Sequence, residues 1–443
     1  MGFFMKKYSK LKGEIREVLR LSFPAILTQL TTILMQYIDS AMVGNLGANA
    51  SASIGLVAST TWLFNGVTYG VSSGFSVQVA HHIGAKQENM AKKVVKHGLI
   101  CAVEISTLLC LVGLLISKPL PTWLNGQPDI QSDASNYFFV FALMLPFSQL
   151  NGLCAAFLQC SGDMITPSVL NALMCLLDVI FNALFIPRFG VLGAGIGTTL
   201  ACAVISLVMI SACCIFNKSL SLKNCKRNKF DFDILKKAFK IGMPVAVQET
   251  AMCGAMVVST AIIAPLGAVA VAANSFAITA ESLCYMPGYG IGSAATTVVG
   301  RSYGAGNKKL AKRYGNICTA LGGIFMGVTG FIMAIICPFV FTLLTPDLSV
   351  RNLATEVLRI GLLAEPLFGV SIVAAGALCG VGDTLVPSLM NLGSIWGIRI
   401  VLALMLVKPL GLYGMWLAMA IELCVRGILM LWRQKMSKYY KLT

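Results

Sequence analysis

The chain is 443 residues long, 57% hydrophobic and 12% charged, with a mean hydropathy of +0.79. A soluble domain carries about 25% charged residues, so this composition excludes one and implies an integral membrane protein. The net charge of +16 would suit a nucleic-acid partner, but the basic residues gather in alternate connections between apolar stretches, the positive-inside pattern of a membrane chain, and that excludes it.

Apolar stretches long enough to cross a bilayer, roughly 20 residues each, recur twelve times. The first six are 17–43, 53–79, 97–117, 135–159, 166–187 and 191–216; the second six are 238–265, 271–299, 315–344, 355–379, 386–407 and 411–432. The first segment holds Lys6, Lys7, Lys10, Lys12, Arg16 and Arg20. Span one is too long for a signal-peptide core and is expected to remain in the chain. In its outer part Asp39 follows Gln36, one turn earlier on the same helical face. The second connection holds Lys86, Lys92, Lys93 and Lys96, and His81, His82 and His97 in or beside it read as loop residues. Glu104 in span three reads as structural.

Span five carries Asn171, Asp178 and Asn182, whose spacing of seven and eleven residues sets them on one face. Such a stripe cannot face lipid, because an unpaired polar group in hydrocarbon costs several kcal/mol, so it is expected to point into the first lobe. Thr198 in span six stands close enough in sequence to complete a hydrogen-bonded cluster. A linker at 217–237, rich in Lys, Asn and Ser, joins the halves, and Phe230 to Lys240 reads as the start of an amphipathic surface helix. Glu249 in span seven and Glu281 in span eight are candidates for a substrate or second ion site. Glu365, before Pro366, reads as structural, and Glu422 with Arg426 as a helical ion pair at four-residue spacing. Arg399 in span eleven needs an acid or a wet cavity, and the sequence does not name its partner.

Shifted by 220 residues the chain matches itself: Pro24 falls on Pro244, Gly47 on Gly267, Gly84 on Gly304, and Gly162, Asp163, Pro167, Ser168 and Asn171 on Gly382, Asp383, Pro387, Ser388 and Asn391. One more residue of slip aligns Gly193 with Gly414. Six spans per half is even, so the expected fold is all-α, with twelve transmembrane helices in two six-helix lobes related by a parallel repeat and a cavity between them. The lobes are expected at 1–216 and 238–443, with 217–237 as cytoplasmic linker. At the copies of Asp39 and Asp178 stand Ser259 and Ile398, so the acid pair belongs to the first half alone. An ionised group at mid-membrane costs about 2.5–3.5 kcal/mol, which marks Asp39 and Asp178 as titratable groups for ion coupling.

Enzyme signatures are missing: the chain has no HExxH, GxSxG or GxxxxGK[ST] run. Fifteen cysteines sit mostly inside apolar spans without metal-ligand spacing and read as small core residues. No catalytic residue, metal or cofactor is expected.

The motifs resemble the multidrug and toxic compound extrusion (MATE) transporters over nearly the whole chain. The resemblance rests on Asp39 to Gly44 with Leu46 and Gly47, on Gly84 and Ala85, on Gly162 and Asp163 with Thr166 and Pro167, and on Asp178 followed by Gly190, Gly193 and Thr198. In the second half it rests on Met286 to Gly288, Ala294, Ala295, Thr297, Val299, Gly300, Gly304, Ala305 and the turn Gly380 to Thr384. An aspartate in both span one and span five is most similar to the branch related to DNA-damage-inducible protein F. The resemblance implies a proton-coupling role for Asp39 and Asp178 and a supporting one for Thr198. Two positions depart from it: Met174 stands where a second span-five Asn is common, and Leu367 near where span ten carries an acid.

The expected function is secondary antiport of cationic or amphipathic organic compounds against protons, or sodium, by alternating access. Asp39, Asp178, Asn171, Thr198, Asn182 and Gln36 would form the coupling site, and Met35, Met42, Met256 and Met286 would line the substrate surface with Glu249 and Glu281. A monomer in the plasma membrane, in contact with lipid and with both termini cytoplasmic, is expected. The alternatives are a lipid-linked oligosaccharide flippase of the same superfamily, which would need several cavity bases, and a membrane-embedded enzyme.

Overall fold

A computed structural model describes residues 2–223 and 231–440, and the described residues form helices and turns without a strand. Residues 224–230 of the expected linker lie outside them. The helices in chain order are α1 (Gly2–Gly44), α2 (Ala48–Gly84), α3 (Glu88–Ile116), α4 (Pro128–Ser161), α5 (Ile165–Phe189), α6 (Val191–Ser211), α7 (Phe232–Ile263), α8 (Ala268–Gly304), α9 (Lys308–Leu344), α10 in two pieces (Leu348–Leu362 and Glu365–Gly380), α11 in two pieces (Leu385–Ser394 and Val401–Leu410) and α12 (Leu412–Met436). Among the described residues ten helices are long and apolar enough to cross a membrane, and the two pieces of α10, bent by 54°, make an eleventh. The twelfth is α2. Its 37 residues span about 55 Å at 1.5 Å per residue, and its ends lie 220 residues before those of α8.

The starts are set by local chemistry. Asn307 caps α9 by accepting from the Leu310 N–H at 3.0 Å, and Asp347 caps α10 from Ser349 at 2.8 Å. Asp163 accepts from the Thr166 N–H at 3.0 Å and its hydroxyl at 2.7 Å as α5 begins. The turn between α5 and α6 is repeated between α11 and α12: Gly190 and Gly411 have φ of 59° and 58°, a region that favours glycine.

The 220-to-221 slip has a structural cause. Helix α5 runs without interruption, whereas α11 contains a π-helical turn, Ile395–Ile400, between its pieces. An i→i+5 turn takes up one extra residue within a helix, so the register moves from 220 before this turn to 221 after it. The copy of Asp178 therefore falls at Ile398 or Arg399, inside the turn, and that of Asn182 at Ala403.

Packing divides the chain into two units, one of Leu30–Thr250 and one of Met1–Gln29 with Ala251–Thr443. This cut differs from the repeat boundaries at 216 and 238, because two long helices contribute to both units. Early α1 packs on second-half helices, with Tyr314 donating to Glu17 and Arg313 paired to Glu14 at 2.8 Å. Early α7 packs on first-half helices, where Ile234 O accepts from Gln78 Nε2 at 3.1 Å. Phe230, where the expected surface helix begins, lies outside the described residues; among those described, α7 is continuous from Phe232 to Ile263. The three histidines are helical rather than loop residues, His81 and His82 in the last turn of α2 and His97 within α3.

Close packing at the repeated turn gives a direct test. A Cβ on Gly193 would stand 2.3 Å from Phe185 O, and one on Gly414 2.2 Å from Leu406 O. Gly193→Ala and Gly414→Ala should each cost about 1–3 kcal/mol, seen as lowered melting temperatures of the purified protein. A neutral effect at either position would contradict the packing.

Candidate functional site

In the first unit the second part of α1 meets α5 through three polar side chains. The Asn182 amide donates both of its hydrogens, to Asp39 Oδ1 at 2.8 Å and to Asp178 Oδ2 at 3.2 Å. Asp178 and Asn182 are 0% exposed, and the Asp39 and Asp178 carboxyl groups adjoin. Around them lies an apolar shell of Val43, Ala50, Ile186, Val191 and Ala194, with Met42, Ile54 and Tyr137 packed against it.

The arrangement has a definite electrostatic consequence. Two carboxylates ionised side by side repel strongly where little water screens them, and one amide cannot neutralise two negative charges. A proton or a monovalent cation on the pair removes the conflict.

Of the residues expected here, the structure brings together Asp39, Asp178 and Asn182. Thr198 does not join them, because its hydroxyl bonds back to Ala194 O at 3.1 Å. Asn171 is half-buried on α5, seven residues from Asp178, or about 10 Å along the helix. Gln36 is exposed, and its backbone carbonyl, not its side chain, accepts from Ser40 Oγ at 2.8 Å. One residue was missed from sequence: Gly197 on α6, where a Cβ would lie 2.1 Å from Asn182 Oδ1. Its signal was a glycine one helical turn into a span that faces the polar stripe.

The second set of candidates divides between the two units. Glu249 belongs to the first unit, where it accepts from Gln248 Nε2 at 3.4 Å and its Cβ packs on Gly66 of α2. Met35 is also in the first unit and half-buried. Glu281, Met256 and Met286 belong to the second unit; Met256 is exposed and Met286 half-buried. Glu281 is buried against Gly361, with Oε1 3.4 Å from where a Cβ there would stand. That places it at the break in α10, where Glu365 is 1% exposed. Among the described residues Glu281 Oε1 and both Glu365 carboxyl oxygens have no hydrogen-bond partner. Glu365, read from sequence as structural, is thus an unpartnered buried acid. Its copy in the first half is Leu145 in an unbroken α4.

Arg399 gains the partner that sequence left open. Glu422 accepts from its Nη2 at 2.6 Å and its Nε at 3.1 Å, and from Ser394 Oγ at 2.7 Å. Arg426 pairs with the same acid at 3.0 Å, four residues on, and lies over the Phe368 ring at 5.3 Å. Both bases pair with one buried acid, which leaves the trio one net positive charge.

The MatE family profile matches residues 24–184 and again 244–405. The second copy is one residue longer, in keeping with the π turn of α11. A probable multidrug resistance protein NorM of Thermotoga maritima is 26% identical over 434 residues, covering 94% of this chain and 92% of that protein. The multidrug resistance protein NorM of Burkholderia vietnamiensis is 28% identical over 430 residues, with coverage of 94% and 92%. Among solved structures, a MOP superfamily transporter of Pyrococcus furiosus, described as having a binding pocket of reverse polarity, has a TM-score of 0.91 at 21% identity and 97% coverage of both chains. The bent form of the Vibrio cholerae MATE transporter VcmN has a TM-score of 0.89 at 16% identity and 98% coverage of both.

Gly197 offers a test that alters no polar group. Gly197→Ala should push Asn182 aside and cost about 1–3 kcal/mol. Asn182→Ala, which removes the clashing atom, should make the second change nearly free, so the two costs fall well short of adding. Strictly additive melting shifts would contradict the contact.

Proposed function

The chain belongs to the MatE family, a family of transporters and not enzymes, and from that premise we propose a secondary active antiporter that exports cationic or amphipathic organic compounds by alternating access. It is a multi-pass membrane protein. On this reading it sits in the plasma membrane as a monomer among lipid, with both termini cytoplasmic. The observation that carries the proposal is the pair of half-buried Asp39 and buried Asp178 held by one amide.

The pair works as a cation exchanger. With the proton aboard, one carboxyl group is neutral and can donate to the other, so the Asn182 amide faces one negative charge instead of two and the apolar shell closes at lower cost. With the proton gone, two negative charges share one amide, which favours hydration and opening of the surroundings, since burying unpaired charge is expensive. Each half of the cycle is thereby tied to the side from which the proton arrives or departs. Proton fits better than sodium because Asn182 turns its two hydrogens, not its oxygen, toward the acids. That leaves few neutral oxygens to complete a sodium shell.

Glu281 and Glu365 at the break in α10 are the proposed second ion site, in keeping with broken helices as ion sites in transporters. Glu249 and the methionines Met35, Met42, Met256 and Met286 are proposed for substrate, acid for charge and thioether for adaptable apolar contact. The flippase reading loses its support, because a lipid pyrophosphate needs free bases and Arg399 is taken up by Glu422.

Proteoliposomes separate the possibilities. An imposed proton gradient should drive uptake of a fluorescent cationic dye, and Asp178→Asn should reduce it to background while the protein keeps its melting temperature within a few degrees. Dye uptake at the wild-type rate in Asp178→Asn, or uptake driven by sodium alone, would overturn the assignment. Glu281→Gln and Glu365→Gln should alter coupling without abolishing dye binding; unchanged transport in both would remove the second site.

A further inference from the structure

His97 is 3% exposed, and both of its ring nitrogens are engaged. Nδ1 lies 2.7 Å from the Lys93 carbonyl oxygen, one turn earlier on α3, and Nε2 lies 2.9 Å from the backbone nitrogen of Asp231. A carbonyl only accepts, so Nδ1 carries the hydrogen; a backbone N–H only donates, so Nε2 must be bare. The two contacts together therefore hold the ring in one neutral tautomer. Adding a proton to Nε2 sets one donor against another and forfeits the Asp231 bond.

Among the described residues, Lys93 and Asp231 are charged groups hydrogen-bonded at this contact. Lys93 donates to Asp231 Oδ2 at 2.6 Å, and the Asp233 N–H donates to Asp231 Oδ1 at 3.1 Å. The Lys93 hydrogen bond holds the Asp231 carboxyl below the usual carboxylate range. Its ionisation thus contributes at neutral pH and is lost only as pH falls through that lowered value, leaving it charged in mild acid. From α2 and α4 the residues that meet α3 at the next position, Gly98, are the Phe75 and Phe157 rings. Early α7 offers buried Ile234 and Ala238 to the same apolar cluster. Imidazole is the side chain whose ordinary range of protonation lies between neutral and mildly acidic pH.

Asp231 is the residue before α7, so its N–H stands at the entry to a helix whose first turns pack in this unit. We propose that the His97–Asp231 contact is a pH-responsive latch on the entry to α7: closed with neutral imidazole, released when His97 takes a proton and its new Nε2–H turns to the Asp231 carboxylate in competition with Lys93. The side bearing the 217–237 connection is the side whose pH it reads. The latch stands apart from the Asp39 and Asp178 pair and does not depend on what the protein transports.

Hydrogen exchange on the full chain in lipid nanodiscs tests it, at about pH 7.5 and about pH 5.5 with intrinsic rates corrected. In the wild type, amides from Asp231 to Lys240 should lose protection about fivefold on acidification, the scale of one backbone hydrogen bond. His97→Gln, which keeps an acceptor near the Nε2 position and does not titrate, should be protected at both values. Asp231→Pro, which removes the donor and leaves the imidazole, should be unprotected at both. Lys93→Met should raise the exchange baseline and keep the pH step. An equal step in wild type and His97→Gln overturns the proposal, as does the absence of any step in the wild type, which needs no variant to fold.

Discussion

The structure of the first unit turns on a single amide. Asn182 gives one hydrogen to Asp39 on α1 and the other to Asp178 on its own helix, and it leaves its oxygen against a glycine on α6. Everything nearby follows from the cost of holding acids in an apolar setting. The acids need a donor, the donor needs space, and the space comes from the missing side chain at Gly197. The apolar cluster of Val43, Ile186 and Val191 offers these acids no counter-charge, so the presence or absence of one proton matters energetically.

Duplication supplies the contrast. Both halves keep the same helix starts, the same left-handed glycines and the same close approach at the fifth-to-sixth connection, yet their polar contents differ. The second half inserts one residue into the copy of α5, and the π turn that absorbs it carries Arg399. A base thus stands near the place of the first half's acid, with its charge taken by Glu422. Where the first half has Leu145 in a continuous helix, the second has Glu365 at a bend of 54°. The scaffold repeats because helix packing requires it; the charges diverge because each sits at a position the scaffold leaves free.

Much of this was legible in the sequence. Twelve apolar stretches, the repeat and the stripe of Asp178 and Asn182 follow from hydropathy and a helical period, and the structure places them accordingly. Asn171 and Gln36 share a face with the acids, but a face is two or three turns long and a hydrogen bond reaches only about 3 Å. Thr198 was near enough in sequence, yet its hydroxyl finds a carbonyl on its own helix first, the usual competition for Ser and Thr within helices. The linker reading mistook His97 for a loop residue because a basic connection masks where α3 begins. The one-residue slip was visible as an alignment offset, and only the backbone shows that it is a π turn. Glu365 looked structural because nothing in a sequence reveals whether a buried acid has a partner.

The measurement that bears most directly on the account is proton release on substrate binding. Purified protein in weakly buffered detergent solution, mixed with a cationic dye, should release about one proton per dye bound, as expected where two adjoining carboxyl groups share one proton. Asp39→Asn and Asp178→Asn should bind dye without releasing it. Equal release by wild type and both variants, or binding by the wild type with no release at all, would contradict the claim that this amide-bridged pair carries the coupling ion.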